Sequence, residues 1–537
     1  MSRRKKAGSC PCWGSVVAVL IVAAVVCGSA SAATGRFIAR NTPRYVATAK
    51  NLGTENPSKT MEVTVWLNPH NRSEMDALAR DLYDRNSASY RHFLKPAEMA
   101  ARFAPTAAEA KAVQQFLQSK NLKVVRVGPN NFFVRARGTV GDMESAFHVM
   151  LNNYQVGKQT LRANDRDPFV EGAAGALVMS VAGLDTGKFE HPAMTKAAGL
   201  NKGGSSFSAA AVGKSATDFF SNNCFDGVKT VTLSTNDNGS LPIGTYTGNH
   251  LNLQSLTSAG CGYTPPMIQA PYKLDALYAS GYDDAGQTIG IIDWCGSLTI
   301  AEDANGFSEQ FGLPALTSKN FAITYIPTKS TCAEADTVEI NIDVEWAHAI
   351  APGANINLIV PPSASFADVD EAEFTAVNYG LANVLSGSYG SIESFTSATE
   401  LATENLINQI AAIAGISANF SSGDNGDFTV FGIPATVSAP ADSPWATAVG
   451  GGQLGTAGEQ LDRMAVGLGK QPDAADGGRN CIRSAAGVWI RGRSGRRDEQ
   501  LRAAGCEVQL PGRISEAGVS EKGSGKVSPG AGRRLAG

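Results

Sequence analysis

The stretch EINIDVEWAHAIAPGANINLIV, Glu339 to Val360, constrains this chain more than any other. Ile340, Val344, Ala347 and Ala351 recur at helical spacing and give one apolar face. Ala351-Pro352-Gly353 then breaks the helix, and ANINLIV follows as a buried strand. Glu339 and Asp343 lie four residues apart, so both carboxylates project from a neighbouring face of the helix. Like charges at this spacing cost an isolated helix a few tenths of a kcal/mol. One reading of the pair is a solvated acidic face. The strand that follows argues instead for a helix packed on a sheet, where two carboxylates are a candidate acid/base couple.

Around this stretch the pattern is α/β. QTIGIIDW (Gln287–Trp294) is a continuous apolar run, as in a strand of a parallel sheet buried on both faces. FSEQFGLP, the Glu339 helix, INLIV, a helix from Ala367 to Tyr379 and the strand of ANVLSGSYG continue the alternation. A helix near Ser397–Ala414 leads to ISANFSSGDNG, and TPPMIQAPYKLDALYASG is a helical lead-in to the whole. Strands alternating with helices imply a parallel sheet with helices on both faces, and sites in such sheets sit beyond the strand C-termini. Two such loops stand out, SGSYGSIES and the SSGDNG that carries Asp424. Taken alone, each is equally a turn in which Ser or Asp caps a helix.

Ahead of the α/β region, residues 46–184 read as a separate compact α+β domain. MEVTVWL is a strand, Ser73–Asp84 a helix and SASYRHFLKPAEMAARFAPTAAE a loop. A helix (Ala107–Lys120) and the strands LKVVRVG, FFVRARG and YQVGKQT follow, with VGDMESAFHVML helical between the last two. His92 and His148 read as ordinary histidines. Residues 185–214 have the Gly/Ala/Ser/Lys composition of a flexible exposed connector. The Thr/Asn/Gly-rich stretch from Cys224 to Cys261 reads as an irregular insertion.

The 537-residue length suits two or three domains, and a formal net charge of −3 gives no footprint for nucleic acid. Arg3 to Lys6, the apolar run Val16–Val26 and Ala30-Ser31-Ala32 form an export signal over residues 1–32, with a retained anchor as the alternative. The protein is expected outside the cell or in the periplasm, free of the membrane once cleaved. Export favours disulfides among the remaining cysteines. Connectivity stays open in the sequence; the working pairs are Cys224 with Cys261 and Cys295 with Cys332.

YRHFLKPAEMAARFAPT, GTVGDMESAFHVMLNNYQ and VMSVAGLD, in that order, resemble the activation prodomain of the sedolisins, the serine-carboxyl peptidases that include kumamolisin. The helix with its APGA break, the two loops and SPWATAVGG resemble the catalytic domain of the same family, which has a subtilisin-like fold. The resemblance implies a prodomain that chaperones and inhibits its own catalytic domain (residues 215–452, incomplete), with 185–214 as the activation junction. It implies an acid-acting, monomeric endopeptidase with protein or peptide substrates. By motif position Glu339 is the general base, Asp343 its orienting partner, and Asp424 a protonated acid lining the oxyanion hole. A Glu base, with an unperturbed pKa near ~4.3 against about 6.5 for His, suits acidic conditions. Ser388, Tyr389 and Gly390 are the substrate-binding segment. Asp293 is a supporting acid behind the pair, and His348 is structural.

Two family features are missing from the sequence. No Gly-Thr-Ser turn follows Gly452, so no nucleophile is found; Gly455-Thr456-Ala457 carries Ala, and Ser484 and Ser524 lack the context. The family's aspartate-rich C-terminal calcium site also has no match, so calcium is expected for the family and no metal ligand is found here. From Arg479 onward twelve Arg and Lys face five acids with no apolar periodicity. Residues 453–537 therefore read as a divergent, disordered tail. A frameshift or sequence error near Glu459–Gly478 accounts for both losses, and a genuinely divergent tail is the other reading. The function expected is a secreted serine-carboxyl zymogen that is inactive as written, or else a non-catalytic remnant that at most binds peptides.

Overall fold

A computed structural model describes residues 34–191, the strands of 225–234 and 242–251, and 265–450. Within these ranges it omits residues 158, 271, 283, 330–336, 424, 430 and 431. The described residues belong to one compact unit. The proposed signal, Cys224, Cys261, Cys332, Asp424 and the tail 453–537 lie outside them.

The N-terminal domain contains β1 (Gly35–Phe37), β2 (Lys50–Thr54), β3 (Thr60–Leu67), α1 (Arg72–Asp81), α2 (Pro96–Phe103) and α3 (Ala107–Ser119). It continues with β4 (Lys123–Val127), β5 (Phe133–Thr139), α4 (Val140–Phe147), β6 (Leu151–Val156), β7 (Gln159–Asn164), β8 (Phe169–Glu171), α5 (Ala174–Leu177) and β9 (Val178–Ala182). A four-stranded antiparallel sheet in the order β4-β5-β3-β9 is its backbone, beside a three-stranded sheet β2-β6-β7 and the pair β1-β8. Helices α3 and α4 start at Thr106 and Thr139, whose hydroxyls accept from the backbone N–H three residues on, while Glu109 and Asp142 reach back.

Two local readings are corrected here. The segment read as a loop after α1 contains α2, opened by Pro96 in the first turn, where its missing N–H costs nothing. Met99 and Phe103, one turn apart, bury its inner face. YQVGKQT is not one strand but the hairpin β6-β7, turning at Gly157 in left-handed backbone. The insertion is likewise more regular than its composition suggests, because β10 (Phe225–Ser234) and β11 (Pro242–Leu251) pair antiparallel.

The second domain follows the expected alternation. After α6 (Pro265–Gln269) and α7 (Leu274–Ala279) come β12 (Thr288–Ile292), α8 (Ile300–Phe311), β13 (Phe321–Tyr325), α9 (Thr337–Ile350) and β14 (Asn355–Val360). Then follow α10 (Phe366–Tyr379), β15 (Val384–Gly387), β16 (Ser391–Ile392), α11 (Ala398–Ala414), β17 (Ser417–Ser421), β18 (Ser438–Ala439) and β19 (Thr447–Val449). Six strands form a parallel sheet in the order β13-β14-β12-β15-β17-β19. Its strands bury alternate residues on opposite faces. Ile291, Ile356, Leu358 and Val360 pack with Ile340 and Val344 of α9. Ile292, Ile359, Leu385 and Phe420 join the core that contains α10 and α11.

That second core is shared with the N-terminal domain. Trp66 of β3 meets Phe374 of α10 at 5.5 Å between ring centroids, and Phe132 meets it at 4.9 Å. Around this apolar centre lies an ionic ring. Arg135 donates to Asp368 (2.6 Å) and to Glu371 (3.0 Å), Thr64 donates to Glu371 (2.6 Å), and Arg126 pairs with the same carboxylate. Ser180 of β9 bonds Thr403 of α11 at 2.8 Å. The N-terminal sheet thus sits face-on against two helices of the parallel domain.

Candidate active site

The site lies beyond the C-terminal ends of the parallel strands. The end of β12 delivers Asp293 and Trp294, the end of β15 delivers Ser388, and the first two turns of α9 deliver Glu339 and Asp343. Asp293 and Glu339 are buried, with 0% and 6% of their surface exposed. Packing of Ile340 and Val344 against the sheet fixes the rotation of α9, and that rotation turns the two carboxylates toward the strand ends. The helix tolerates their repulsion because tertiary packing, not local preference, sets its stability. Asp343 Oδ1 accepts from the Ser388 hydroxyl at 2.7 Å.

A residue with no signal in the sequence completes the arrangement. The chain leaving the N-terminal domain does not swing free at the connector. Lys188 bridges Ser365, and Glu190 and Gly390 exchange both backbone hydrogen bonds, at 2.9 and 3.0 Å, in antiparallel register. This lays His191 among the acids. Its Nε2 lies 3.2 Å from Asp293 Oδ1, its Nδ1 lies 2.9 Å from the Ser388 carbonyl oxygen, and its ring stacks on Trp294 at 3.9 Å. Each ring nitrogen thus faces an oxygen acceptor, an arrangement that favours the doubly protonated ring. Phe189, one step inside, is buried between Phe366 and Tyr389.

The electrostatics follow from this packing. Burial alone would lower the His191 pKa, but the hydrogen bond and charge of Asp293, helped by the Ser388 carbonyl and Glu339, raise it to about 9. Burial lifts Asp343 to about 6 against the pull of the Ser388 hydroxyl; the Asp293 charge adds to the rise and His191 offsets part of it. Asp343 is therefore a carboxyl that takes up its proton in mildly acidic water.

Each expected site residue has a definite place, except Asp424. Glu339, Asp343, Asp293 and Ser388 converge. Gly390 contributes its backbone, and a Cβ there would collide with Ser438. Tyr389 turns away, buried between Phe189, Trp294 and Phe420. His348 is buried, and its Nε2 donates to the Pro314 carbonyl oxygen at 2.7 Å. Cys295 is disulfide-bonded. His191 and Trp294 escaped the sequence reading, since one hides in a linker composition and the other ends an apolar strand.

Buried acids gather at the strand ends of a parallel α/β sheet, and the segment leaving a docked N-terminal α+β domain lies across them. Residues 47–186 match the family described as pro-kumamolisin, activation domain. The chain is 27% identical over 201 residues to sedolisin of Pseudomonas sp. (strain 101), covering 37% of this chain and 34% of that protein. It is 28% identical over 230 residues to kumamolisin of Bacillus sp. (strain MN-32), covering 42% and 40% respectively. A solved structure of Pseudomonas sedolisin, a serine-carboxyl proteinase complexed with two molecules of pseudo-iodotyrostatin, is 26% identical. That match covers 35% of this chain and 54% of that one, with a TM-score of 0.30. The chain is thus similar to the sedolisins over its N-terminal domain and part of its second domain, and its matches span about a third to two fifths of the curated relatives' length. Among the described residues no helix is long and apolar enough to cross a membrane.

Proposed function

We propose that this chain is built as the zymogen of a secreted serine-carboxyl endopeptidase that acts on proteins or peptides at acidic pH. Its second domain is the subtilisin-like catalytic half. Glu339 is the base that would take the nucleophile's proton, and Asp343 orients it. Asp424, outside the described residues, would donate to the oxyanion. The observation that carries the reading is the path of Lys188–His191. An extended segment paired antiparallel with Gly390 lies as a peptide substrate would, and recognition of a strand by backbone pairing is independent of its sequence. The leading domain therefore inhibits by occupying the cleft as well as by covering the helices behind it.

The chain as written lacks a Gly-Thr-Ser nucleophile, which makes it inactive, and a peptide-binding remnant is the second reading that this absence favours. The calcium that the family resemblance implies would sit in the C-terminal stretch, where the sequence offers no acidic loop, so no residue there is assigned to it and no step depends on it. The protein is expected to be a monomer outside the cell or in the periplasm, with no nucleic-acid partner. Incubating the purified chain at acidic pH, with and without Glu339→Ala, tests this reading. Parent and variant should both keep the N-terminal domain and leave a denatured protein uncut. Self-processing by the parent alone would overturn the inactive assignment and establish Glu339 as a working base.

A further inference from the structure

Away from the cleft, α10 and α11 bury a set of acids that the site does not use. Asp370, Glu400 and Glu404 each offer a carboxylate oxygen, all within 4.8 Å of one another. The three side chains have 0%, 5% and 1% of their surface exposed. Glu373, one turn after Asp370, is buried beside them. Both Asp370 oxygens, both Glu404 oxygens and one from Glu400 have no hydrogen-bond partner. Among the described residues no Lys, Arg or His pairs with any of the four; the arginines of the N-terminal sheet go to Glu371 and Asp368 on another face of α10. Three carboxylates stripped of water and set against one another cannot all stay ionised unless a cation lies between them; without one they must hold protons, and burial raises all three pKa values.

Two neutral groups point the same way. Asn408 lies one turn beyond Glu404 on the row 400, 404, 408 of α11. Its amide nitrogen donates back to the Glu404 backbone carbonyl at 3.0 Å, and its Oδ1 is fully buried without a partner. The Tyr389 hydroxyl is fully buried beside Glu373, and burial first, then the charges of Glu373, Asp370 and Glu404, oppose its ionised form. An orphaned amide oxygen is a hard neutral ligand that a simple stack of shared protons would leave unused. We propose that Asp370, Glu400 and Glu404, with Asn408 beside them, form a structural site for a hard divalent cation, calcium by size. Calcium takes six to eight oxygens at roughly 2.3–2.6 Å, so oxygens on opposite sides of the ion stand about 5 Å apart, whereas magnesium at about 2.1 Å demands a tighter octahedron. The site is separate from the C-terminal calcium site of the family and does not depend on the proposed activity. The ion would tie α10 to α11, the two helices on which the N-terminal domain rests.

The full chain, refolded at neutral pH in millimolar calcium chloride or in EDTA, tests this, with bound calcium measured by mass spectrometry after dialysis and Tm by calorimetry. Calcium should raise Tm by several degrees and remain at about one ion per chain. Glu404→Gln, which keeps the shape and removes one charge, should abolish both effects. In EDTA the same variant should melt above the parent, since it relieves an uncompensated buried charge. If Glu404→Gln does not fold, Asn408→Ala takes its place, with at least a tenfold loss of calcium affinity expected. Calcium that leaves Tm unchanged, or binding that Glu404→Gln leaves intact, overturns the assignment. Asp343→Asn, in the cleft, should keep the ion; its loss there would place the ion among the active-site acids and equally overturn the proposal.

Discussion

The grip of the N-terminal domain on its partner can be measured at Arg135. Its Nε donates to Glu62 at 2.5 Å and its Nη1 to Asp368 and Glu371 at 2.6 and 3.0 Å. The arginine side chain is 11% exposed, the Asp368 side chain 9% and the Glu371 side chain 2%. Arg135→Met keeps the stem and removes the charge. Removing one partner of a buried pair costs about 3–5 kcal/mol, most of it from the charge left behind. Here Glu371 retains Arg126 and Thr64, and Asp368 retains the Ser363 hydroxyl at 2.5 Å, so the expected cost falls to about 2–3 kcal/mol. That corresponds to a factor of roughly 30–150 in the docking equilibrium. Equilibrium urea unfolding followed by circular dichroism reads it as a lower midpoint at unchanged slope. Because the cluster is buried, the loss should persist in high salt. A cycle with Glu371→Gln should return a coupling of about 1–3 kcal/mol. A loss under ~0.5 kcal/mol, or one that salt erases, would show that the ring behaves as an ordinary surface pair and that the apolar centre alone holds the domains.

Phe374→Ala should cost about 3–5 kcal/mol in the same assay, since Trp66, Phe132 and Phe133 all lose their packing partner; a cost near 1 kcal/mol would mean the helix face collapses onto the gap. Asp343 titrates near 6 in the folded chain, above its unfolded value near 3.9, so the folded state holds its proton more tightly. Its contribution is fully present below about pH 4 and is lost as pH rises through about 6, a difference on the order of 3 kcal/mol. Asp343→Asn should flatten the pH–stability curve across that window, and an unchanged slope would contradict the assigned burial. His191 shifts the other way in charge: its folded value near 9 stands above 6.5, so its contribution is complete below about pH 6.5 and fades as pH rises through 9. His191→Ala should speed hydrogen exchange at the Glu190 and Gly390 amides at neutral pH by tenfold or more; equal rates would mean the backbone pairing stands without the imidazolium.

The α/β half was legible because its signals are local. QTIGIIDW could only be a strand buried on both faces, and Glu339–Val360 carried its own helix, break and strand. Glu339 and Asp343 were readable as a pair because one helix supplies both. β13 went unread because none of its residues is fully buried and its run is short. α2 was lost in a loop since only two apolar residues, Met99 and Phe103, mark its face. The meeting of Asp293, Ser388 and His191 joins three segments whose contact is created by strand order alone, so no spacing in the chain announces it. The acids on α10 and α11 carry no mark of burial in the sequence, and only the packing of these helices in the fold makes them buried.

Glu190 and Gly390 satisfy each other's backbone groups, and this has a bearing on any ligand of the cleft. An incoming strand must displace a competitor that cannot diffuse away. For a tether this short the local concentration of the competitor is in the millimolar range. If the tethered segment itself binds with micromolar intrinsic affinity, any free peptide would show an apparent affinity about a thousandfold weaker, without any contact of its own having changed. Cutting the chain after His191 would make the N-terminal domain and its segment a separate molecule held only by its contacts, so occupancy of the cleft would become dependent on dilution.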